Sequence, residues 1–424
     1  GILNSEVRRL ARLVPDLPQA PDALAELLAS FPVYRSYLPF GAEHLQHAHD
    51  AAAAHRPDLA ATLTALHGRL SDPTGELAVR FQQTSGMVMA KGVEDTAFYQ
   101  WARMVALNEV GGEPTRFGLS VAQFHALCAA RQAGAPLGMT TLSTHDTKRS
   151  EDVRARLAVL TEIGKAWAGV VRQWNATAPL PDAPLAHLMW QNIVGAWPLD
   201  RERALAYAQK ASREAGVSTS WADPDADFEA ALRALVDAAY DHPEMGVQVV
   251  VDRIRKFGWF NSLGMKLVQL MMPGVPDVYQ GTELWDHSLV DPDNRRPVDH
   301  GHLREVLARL DTGWLPAVDE SGAAKLLVLS RALRVRATRE LTGYEPVHAA
   351  GPQAAHLLGF DRGGVIALAT RLPLTLAAAD GWGTTFLDLP AGRWTDALTG
   401  TAAHGRVLVG EVLERYPVAL LIAD

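Results

Sequence analysis

The chain has 424 residues with a formal net charge of −8, a hydrophobic fraction of 48% and a charged fraction of 21%, the balance of an ordinary globular protein long enough for two or three domains. The acidic balance, without any run of Lys or Arg, argues against nucleic acid and an anionic membrane surface as partners. A single cysteine, Cys128, rules out an intramolecular disulfide within these residues and suggests a reducing cytoplasm.

No stretch approaches the roughly 20 apolar residues of a membrane span. The first ten residues, Gly1 to Leu10, lack an initiator Met and a signal-peptide pattern and begin as if already inside a helix, which reads as a fragment boundary. Residues 2–14 and 22–29 carry helical apolar spacing, broken between Pro15 and Pro21. The β-branched and aromatic run 31–38 predicts a strand. An Ala-rich helical stretch follows to about Leu70, and its His44 and His47, at i and i+3, could face one metal ion. No carboxylate or cysteine set accompanies them, a solvated helix face is the simpler reading, and no metal is expected.

The spacing of Val93 to Leu107 predicts a helix with Glu94 and Asp95 in its first turn, where acids complement the dipole. Phe98, Tyr99 and Trp101 could stack on sugar rings, although core packing is the commoner use of such spacing. Gly111-Gly112-Glu113-Pro114 is a loop without the spaced glycines of a phosphate cradle. Cys128 lies in the helical pattern Val121 to Arg131 and reads as a small core residue. A strand is expected over 137–144, ending at His145-Asp146. From Ser150 to about Gln269 the chain is nearly all helical, with Pro-rich breaks at 178–184, 197–198 and 223–224, and is expected to form an inserted helical subdomain. Ser218 to Trp221, and the tryptophans Trp190 and Trp197, could reach a cleft, with core packing again the likelier use.

An apolar helix over 259–272, a short strand over 275–279 and a long polar loop over 281–299 come next, then helices around 302–310 and 323–340. Beyond Tyr344, short apolar runs separated by turn residues predict a compact antiparallel β domain. There are no internal repeats.

Three stretches carry the chemistry. The first, Thr140 to Asp152, reads Thr-Thr-Leu-Ser-Thr-His-Asp-Thr-Lys-Arg-Ser-Glu-Asp. The second, Met87 to Tyr99, contains Lys91-Gly92-Val93-Glu94-Asp95. The third runs from Pro273-Gly274-Val275-Pro276 through Tyr279, Gly281 and Glu283 to Asp291-Pro292-Asp293-Asn294-Arg295-Arg296-Pro297-Val298-Asp299. Asp146, where a strand should stop, is the first catalytic candidate, because barrel enzymes place catalytic side chains at strand C-termini. The alternative is an N-cap, a role Ser150 or Thr147 could also take.

Together the three stretches resemble the maltooligosyltrehalose synthases, a family within the α-amylase superfamily (glycoside hydrolase family 13), and the resemblance covers nearly the whole chain. The Pro-Gly-x-Pro-x-x-Tyr-x-Gly-x-Glu part is shared across the superfamily, whereas the Lys91 and Lys148 stretches are specific to this branch. The fold class implied is α/β: the C-terminal part of a (β/α)8 barrel, about strands 6–8, with an inserted helical subdomain and a C-terminal antiparallel β domain. The expected divisions are 1–149, 150–260, 261–343 and 344–424.

Retaining enzymes of this kind use a nucleophilic carboxylate and an acid/base carboxyl about 5–5.5 Å apart, and this superfamily adds a third carboxylate that helps distort the sugar. The resemblance makes Asp146 that third, transition-state-stabilising group and His145 its neighbour on the same ring. Lys91, Glu94 and Lys148 would hold the detached glucose, and Tyr279, Gln280, Glu283, Asp291, Asn294 and Arg295, with Asp277, would line the pocket. Loop-to-barrel hydrogen bonds are the alternative for the latter set. The family's nucleophile sits in Arg-x-Asp at a strand end, and here that triplet occurs only at Arg56-Pro57-Asp58 and Arg309-Leu310-Asp311, both in helical surroundings.

The nucleophile and general acid are therefore expected in an N-terminal remainder of the same enzyme, which this chain would pair with or else expose apolar surface. The implied reaction, that of a (1→4)-α-D-glucan 1-α-D-glucosylmutase, converts the reducing-end α-1,4 bond of a maltooligosaccharide to an α,α-1,1 bond. It belongs to trehalose biosynthesis and needs no cofactor. The alternatives are an α-amylase-type hydrolase and a non-catalytic maltooligosaccharide-binding fragment.

Overall fold

The computed structural model describes residues 3–424. Of the helix expected over 2–14, Ile2 lies outside the described residues and Asn4–Ala11 is helical; Gly1 and Ile2, with which the expected fragment boundary begins, are likewise outside them. The chain forms two compact units, one running to Gln100 with Glu214–Val217 added, the other comprising Trp101–Arg213 and Ser218–Asp424.

The first unit is helical. Ala20–Ala29, Ala42–His55, Ala60–Leu70 and Glu76–Met89 turn one face each inward, burying Leu24, Leu27, Leu45, Leu63, Leu66 and Phe81 in a common core. The strand expected over 31–38 does not form: these residues make an irregular loop with one antiparallel bridge, Tyr37 to Phe40. The reason lies in the neighbouring helix, whose side chains satisfy the backbone in place of a ladder. Gln82 accepts from the Leu38 N–H at 3.0 Å, and Ser85 donates to the Tyr34 carbonyl at 2.8 Å. The apolar character of the run is spent on Phe31, which packs edge-on against Phe81 at 5.5 Å.

The helix expected over Val93 to Leu107 also differs. Glu76–Met89 runs without a break into a π-helical stretch, Ala90–Ala97, and on through Phe98–Gln100, while Val105–Leu107 is a separate 3-10 turn. Glu94 and Asp95 thus lie inside a helix, not at its first turn. The widened turn has a local cause, since Thr96 Oγ1 reaches back five residues to the Lys91 carbonyl at 2.8 Å. Phe98 and Tyr99 are buried core residues.

In the second unit the two expected strands shrink to β1 (Met139–Thr140) and β2 (Val275–Pro276), paired in parallel with Met139 opposite Val275. Both are shorter than the expected 137–144 and 275–279. Pro276 has no N–H to extend the ladder, and Arg131 takes the Gly138 and Met139 carbonyls at 2.8 Å each. Leu137 and Met139 remain 80% and 72% exposed, so the outer side of this pair is uncovered in the chain.

The helices between follow the proline punctuation closely: Glu151–Ala158, Gly164–Thr177, Ala183–Ala196, Arg201–Ala215, Ala226–Asp241 and Val247–Met271. Three of them begin with aspartate caps, Asp182 accepting from Leu185 N–H, Asp200 from Arg203 N–H and Asp225 from Phe228 N–H, each at 2.9 Å. Trp190 is buried among them, whereas Trp221 is 55% exposed. The position near 260 falls inside the 25-residue helix Val247–Met271, whose last turns line the core beneath the sheet.

His300–Asp311 and Ala323–Thr338 follow, then the antiparallel β domain: β3 (Glu345–Val347), β4 (Leu357–Asp361), β5 (Val365–Thr370), β6 (Phe386–Asp396), β7 (Ala402–Leu408) and β8 (Val418–Ala423), in the order β3-β4-β5-β8-β6-β7. Strand β5 shows why this sheet sits where it does. Val365, Ala367 and Ala369 face a core shared with Leu263, Leu267 and Leu327 of the helices, and Ile366 and Leu368 face a second core with Leu387 and Trp394. A strand buried on both faces loses the polar alternation of a surface strand, and Val-Ile-Ala-Leu-Ala reads accordingly. Cys128 is buried in the first of these cores.

Candidate functional site

The site is built from the loop after β1 and the loop after β2, whose parallel pairing starts both on the same side. Asp277 N–H donates to the Thr140 carbonyl at 2.8 Å, and Gln269 Nε2 bonds both Thr140 O (3.2 Å) and Asp277 O (2.7 Å). A helix side chain therefore staples the two strand ends together.

Beyond Thr140 the chain makes a tight turn. Thr147 Oγ1 accepts from the Thr144 N–H at 2.6 Å, and Thr144 Oγ1 accepts from the Asp146 N–H at 3.1 Å. His145 and Asp146 sit at its tip, with the Asp146 side chain 48% exposed and its Oδ1 3.4 Å from Nζ of the buried Lys148. Asp146 caps no helix: the following helix has Ser150 at its N-cap, and the Ser150 hydroxyl donates to the Asp286 carbonyl instead. Glu109 closes the far side of the turn by accepting from the Lys148 N–H at 2.9 Å.

Asn294, in the loop after β2, donates to the His145 carbonyl at 3.0 Å and to that of Thr144 at 3.4 Å. Tyr279 donates to the Asn294 carbonyl at 3.3 Å. Asp291 and Arg295 form an i,i+4 ion pair beside them. Gln280 and Asn294 line a cavity of about 230 Å³ with Leu284, Trp285, Val298 and His302. Glu283 is partly buried, and its Oε2 has no hydrogen-bond partner among the described residues. His145, Asp146, Lys148, Tyr279, Gln280 and Asn294 are thus gathered in one region of the second unit. Lys91 and Glu94 lie in the first unit, Lys91 paired with Asp95 and Glu94 buried.

Sequence reasoning passed over the groups that hold this loop pair. Lys325 Nζ lies 2.9 Å from Glu151 Oε1 and 2.7 Å from Asp152 Oδ2, and Lys266 Nζ lies 2.7 Å from the same Glu151 oxygen, all four side chains being essentially inaccessible. Burial raises the Glu151 carboxyl, but Lys325 and Lys266 outweigh it and bring the pKa down to about 2. Burial opposes the charge on Lys325 too, and Asp152 and Glu151 overcome it, raising its pKa to about 12, whereas burial leaves Lys266 lowered. The cluster reaches both loops: Ser143 Oγ bonds Glu151 at 3.1 Å, Asp286 N–H donates to Asp152 at 2.7 Å, and Lys325 donates to the Leu284 carbonyl at 3.1 Å. Nearby, burial and then Arg156 hold His287 well below its usual pKa, so the neutral ring can accept from Arg156 Nη2 at 2.6 Å. A signal for the lysines was present: Lys266 and Lys325 each stand alone within an otherwise apolar helical run, and lysine is almost never fully buried unless paired.

Against known proteins, no family model matches the chain. The curated putative maltooligosyl trehalose synthase of Mycobacterium tuberculosis is 43% identical over 439 residues, covering 100% of this chain and 56% of its own length. The crystal structure of maltooligosyltrehalose synthase from Arthrobacter ramosus superposes with a TM-score of 0.96 at 54% identity, covering 100% of this chain and 57% of that one. In sequence and in fold, this chain is similar to the maltooligosyltrehalose synthases. A hypothetical maltooligosyl trehalose synthase of Sulfolobus tokodaii, at 26% identity, still superposes with a TM-score of 0.74 over 98% of this chain and 55% of its own. The chain therefore spans a little over half the length of each such synthase. The α/β architecture is common to them. Among the described residues, no helix is long and apolar enough to cross a membrane, and no group of three or more His, Cys, Asp or Glu could hold a metal ion.

Proposed function

We propose that this chain supplies one part of an intramolecular transglucosylase acting on maltooligosaccharides and leading to trehalose, working in the cytoplasm. In this reading β1 and β2 are the last two strands of a (β/α)8 barrel whose preceding strands, nucleophile and general acid lie in a remainder of the same enzyme. The observation that carries it is Asp146: a carboxylate held half-exposed at the C-terminal end of a parallel strand, on a turn fastened from the neighbouring strand's loop, in a chain similar to these synthases over its whole length. The uncovered Leu137 and Met139 beside β1 support a missing barrel neighbour.

The mechanism follows from positions. As the terminal glucose leaves, Asp146 would stabilise the oxocarbenium-like charge on the ring, and Lys148, 3.4 Å away, would hold that carboxylate in place. Transfer to the 1-hydroxyl of the same glucose then requires that the sugar stay in place and that water stay out. His145, Lys91 and Glu94 are assigned to the substrate in this reading, with Tyr279, Gln280, Glu283, Asp291, Asn294 and Arg295 lining its pocket.

Two outcomes test it. Incubated alone with maltopentaose, the chain should neither consume reducing ends nor release glucose, and adding the preceding part should restore loss of reducing ends with little glucose. Turnover by the chain alone would end the split-site reading. In the complete enzyme, Lys91→Ala should raise glucose release relative to transfer by about 10-fold, the scale of a displaced reacting group; an unchanged product ratio would remove Lys91 from this role.

A further inference from the structure

The helix Arg201–Ala215 offers three polar side chains at i, i+4 and i+7, the spacing of a single helical face: Arg203, Tyr207 and Lys210. Each holds a loop of the candidate site. Arg203 grips Asp293 with two parallel bonds, Nε to Oδ1 at 2.6 Å and Nη2 to Oδ2 at 2.7 Å, and donates to the His287 carbonyl at 3.2 Å. Lys210 donates to the Asp291 carbonyl at 2.7 Å. Tyr207 OH meets Nη2 of the fully buried Arg149, three residues after Asp146, at 3.1 Å, and Arg149 is held in turn by Asn192 at 2.7 Å. One helix face therefore touches the loop after β1 and the loop after β2.

We propose that this face is a clamp that sets the position of Asp146, with Arg203 as its main positioning residue acting through Asn294. The route is short. Asp293 and Asn294 share a 3-10 turn, Asp293–Arg295, so the fork from Arg203 fixes the turn from which Asn294 reaches the carbonyls of Thr144 and His145, the backbone on which Asp146 rides. A third accepted bond, from the Leu289 N–H to Asp293 Oδ2 at 2.7 Å, makes the Asp293 carboxylate a hub in which each oxygen has a directed partner. Such a bidentate Arg–carboxylate pair resists rotation where a point charge would not. The helical segment that interrupts the barrel pattern thereby acquires a task in the chemistry: it holds the catalytic loop without touching the substrate.

This inference rests on the role proposed for Asp146, and the test separates the two. In the complete enzyme with maltopentaose, Arg203→Gln and Asn294→Ala should each lower kcat by about 10- to 100-fold, the scale of an ångström's misplacement, with little change in KM. The double variant should be no worse than Asn294→Ala alone, because the two lie on one route. Multiplying losses, or a loss confined to KM, would overturn the clamp. Arg203→Lys should recover little, since it keeps the charge and loses the fork; full recovery would also overturn it. If Arg203→Gln does not fold, Asp293→Asn paired with Asn294→Ala carries the same comparison. Asp146→Asn serves as the reference: its retaining turnover would remove the proposed role of Asp146 itself, whereas its inactivity beside multiplying Arg203 and Asn294 losses would remove only the clamp.

Discussion

Asp146→Asn in the complete enzyme is expected to lower kcat on the order of 10²–10³-fold, the range for deleting one preorganised electrostatic group at a developing charge. The amide keeps the size of the side chain, an oxygen that can still face Lys148 Nζ, and its place on the Thr144–Thr147 turn, whose bonds run through backbone and threonine hydroxyls. Binding should therefore survive. What is lost is the negative charge facing the ring when it carries positive charge, an interaction stronger in the transition state than in the ground state. Kinetics on maltopentaose check this directly: kcat should fall with KM nearly unchanged. An equal loss in 1/KM with kcat retained would make Asp146 a binding residue and leave the stabilising role without a holder.

Lys325→Met should lower stability by about 3–5 kcal/mol, the cost of removing one partner from a buried ion cluster. The substitution matches the length of the side chain and leaves the buried Asp152 without the ammonium 2.7 Å away. Intact, the cluster should contribute evenly across neutral pH. Glu151, lowered from 4.5 to about 2, stabilises above its unfolded value and loses that contribution as pH falls through about 2. Lys325, raised from 10.5 to about 12, stabilises below its unfolded value and loses that contribution as pH rises through about 12. Urea midpoints of the variant and its parent at pH 7 measure the loss; a variant with an unchanged midpoint would show that the cluster is not what joins the loops.

Much of the candidate site was legible because it is local. The turn Thr144–Thr147, the acidic residues after it and the polar loop through Asp293 are contiguous stretches whose residue types state their chemistry, and aspartate caps and prolines marked the helix starts. The misreadings share one cause. At 31–38 the aromatic and β-branched run reads as a strand by propensity, but its backbone is satisfied by Gln82 and Ser85 some 44 and 51 residues away, and no strand among the described residues pairs with it. At Val93 the acids read as a helix start, since nothing local announces that the preceding helix continues through Gly92.

Residue order within short windows was enough to place most helical stretches, the antiparallel domain after Tyr344, the resemblance to the synthases and the candidate Asp146. Only the tertiary structure decided what fastens them. Lys266 and Lys325 meet Glu151 and Asp152 across more than a hundred positions, and Arg203 finds Asp293 across 90. A charge becomes an anchor only when folding removes the water around it and places its partner within 3 Å. That pairing is a property of the packed core, and no window of the chain contains it.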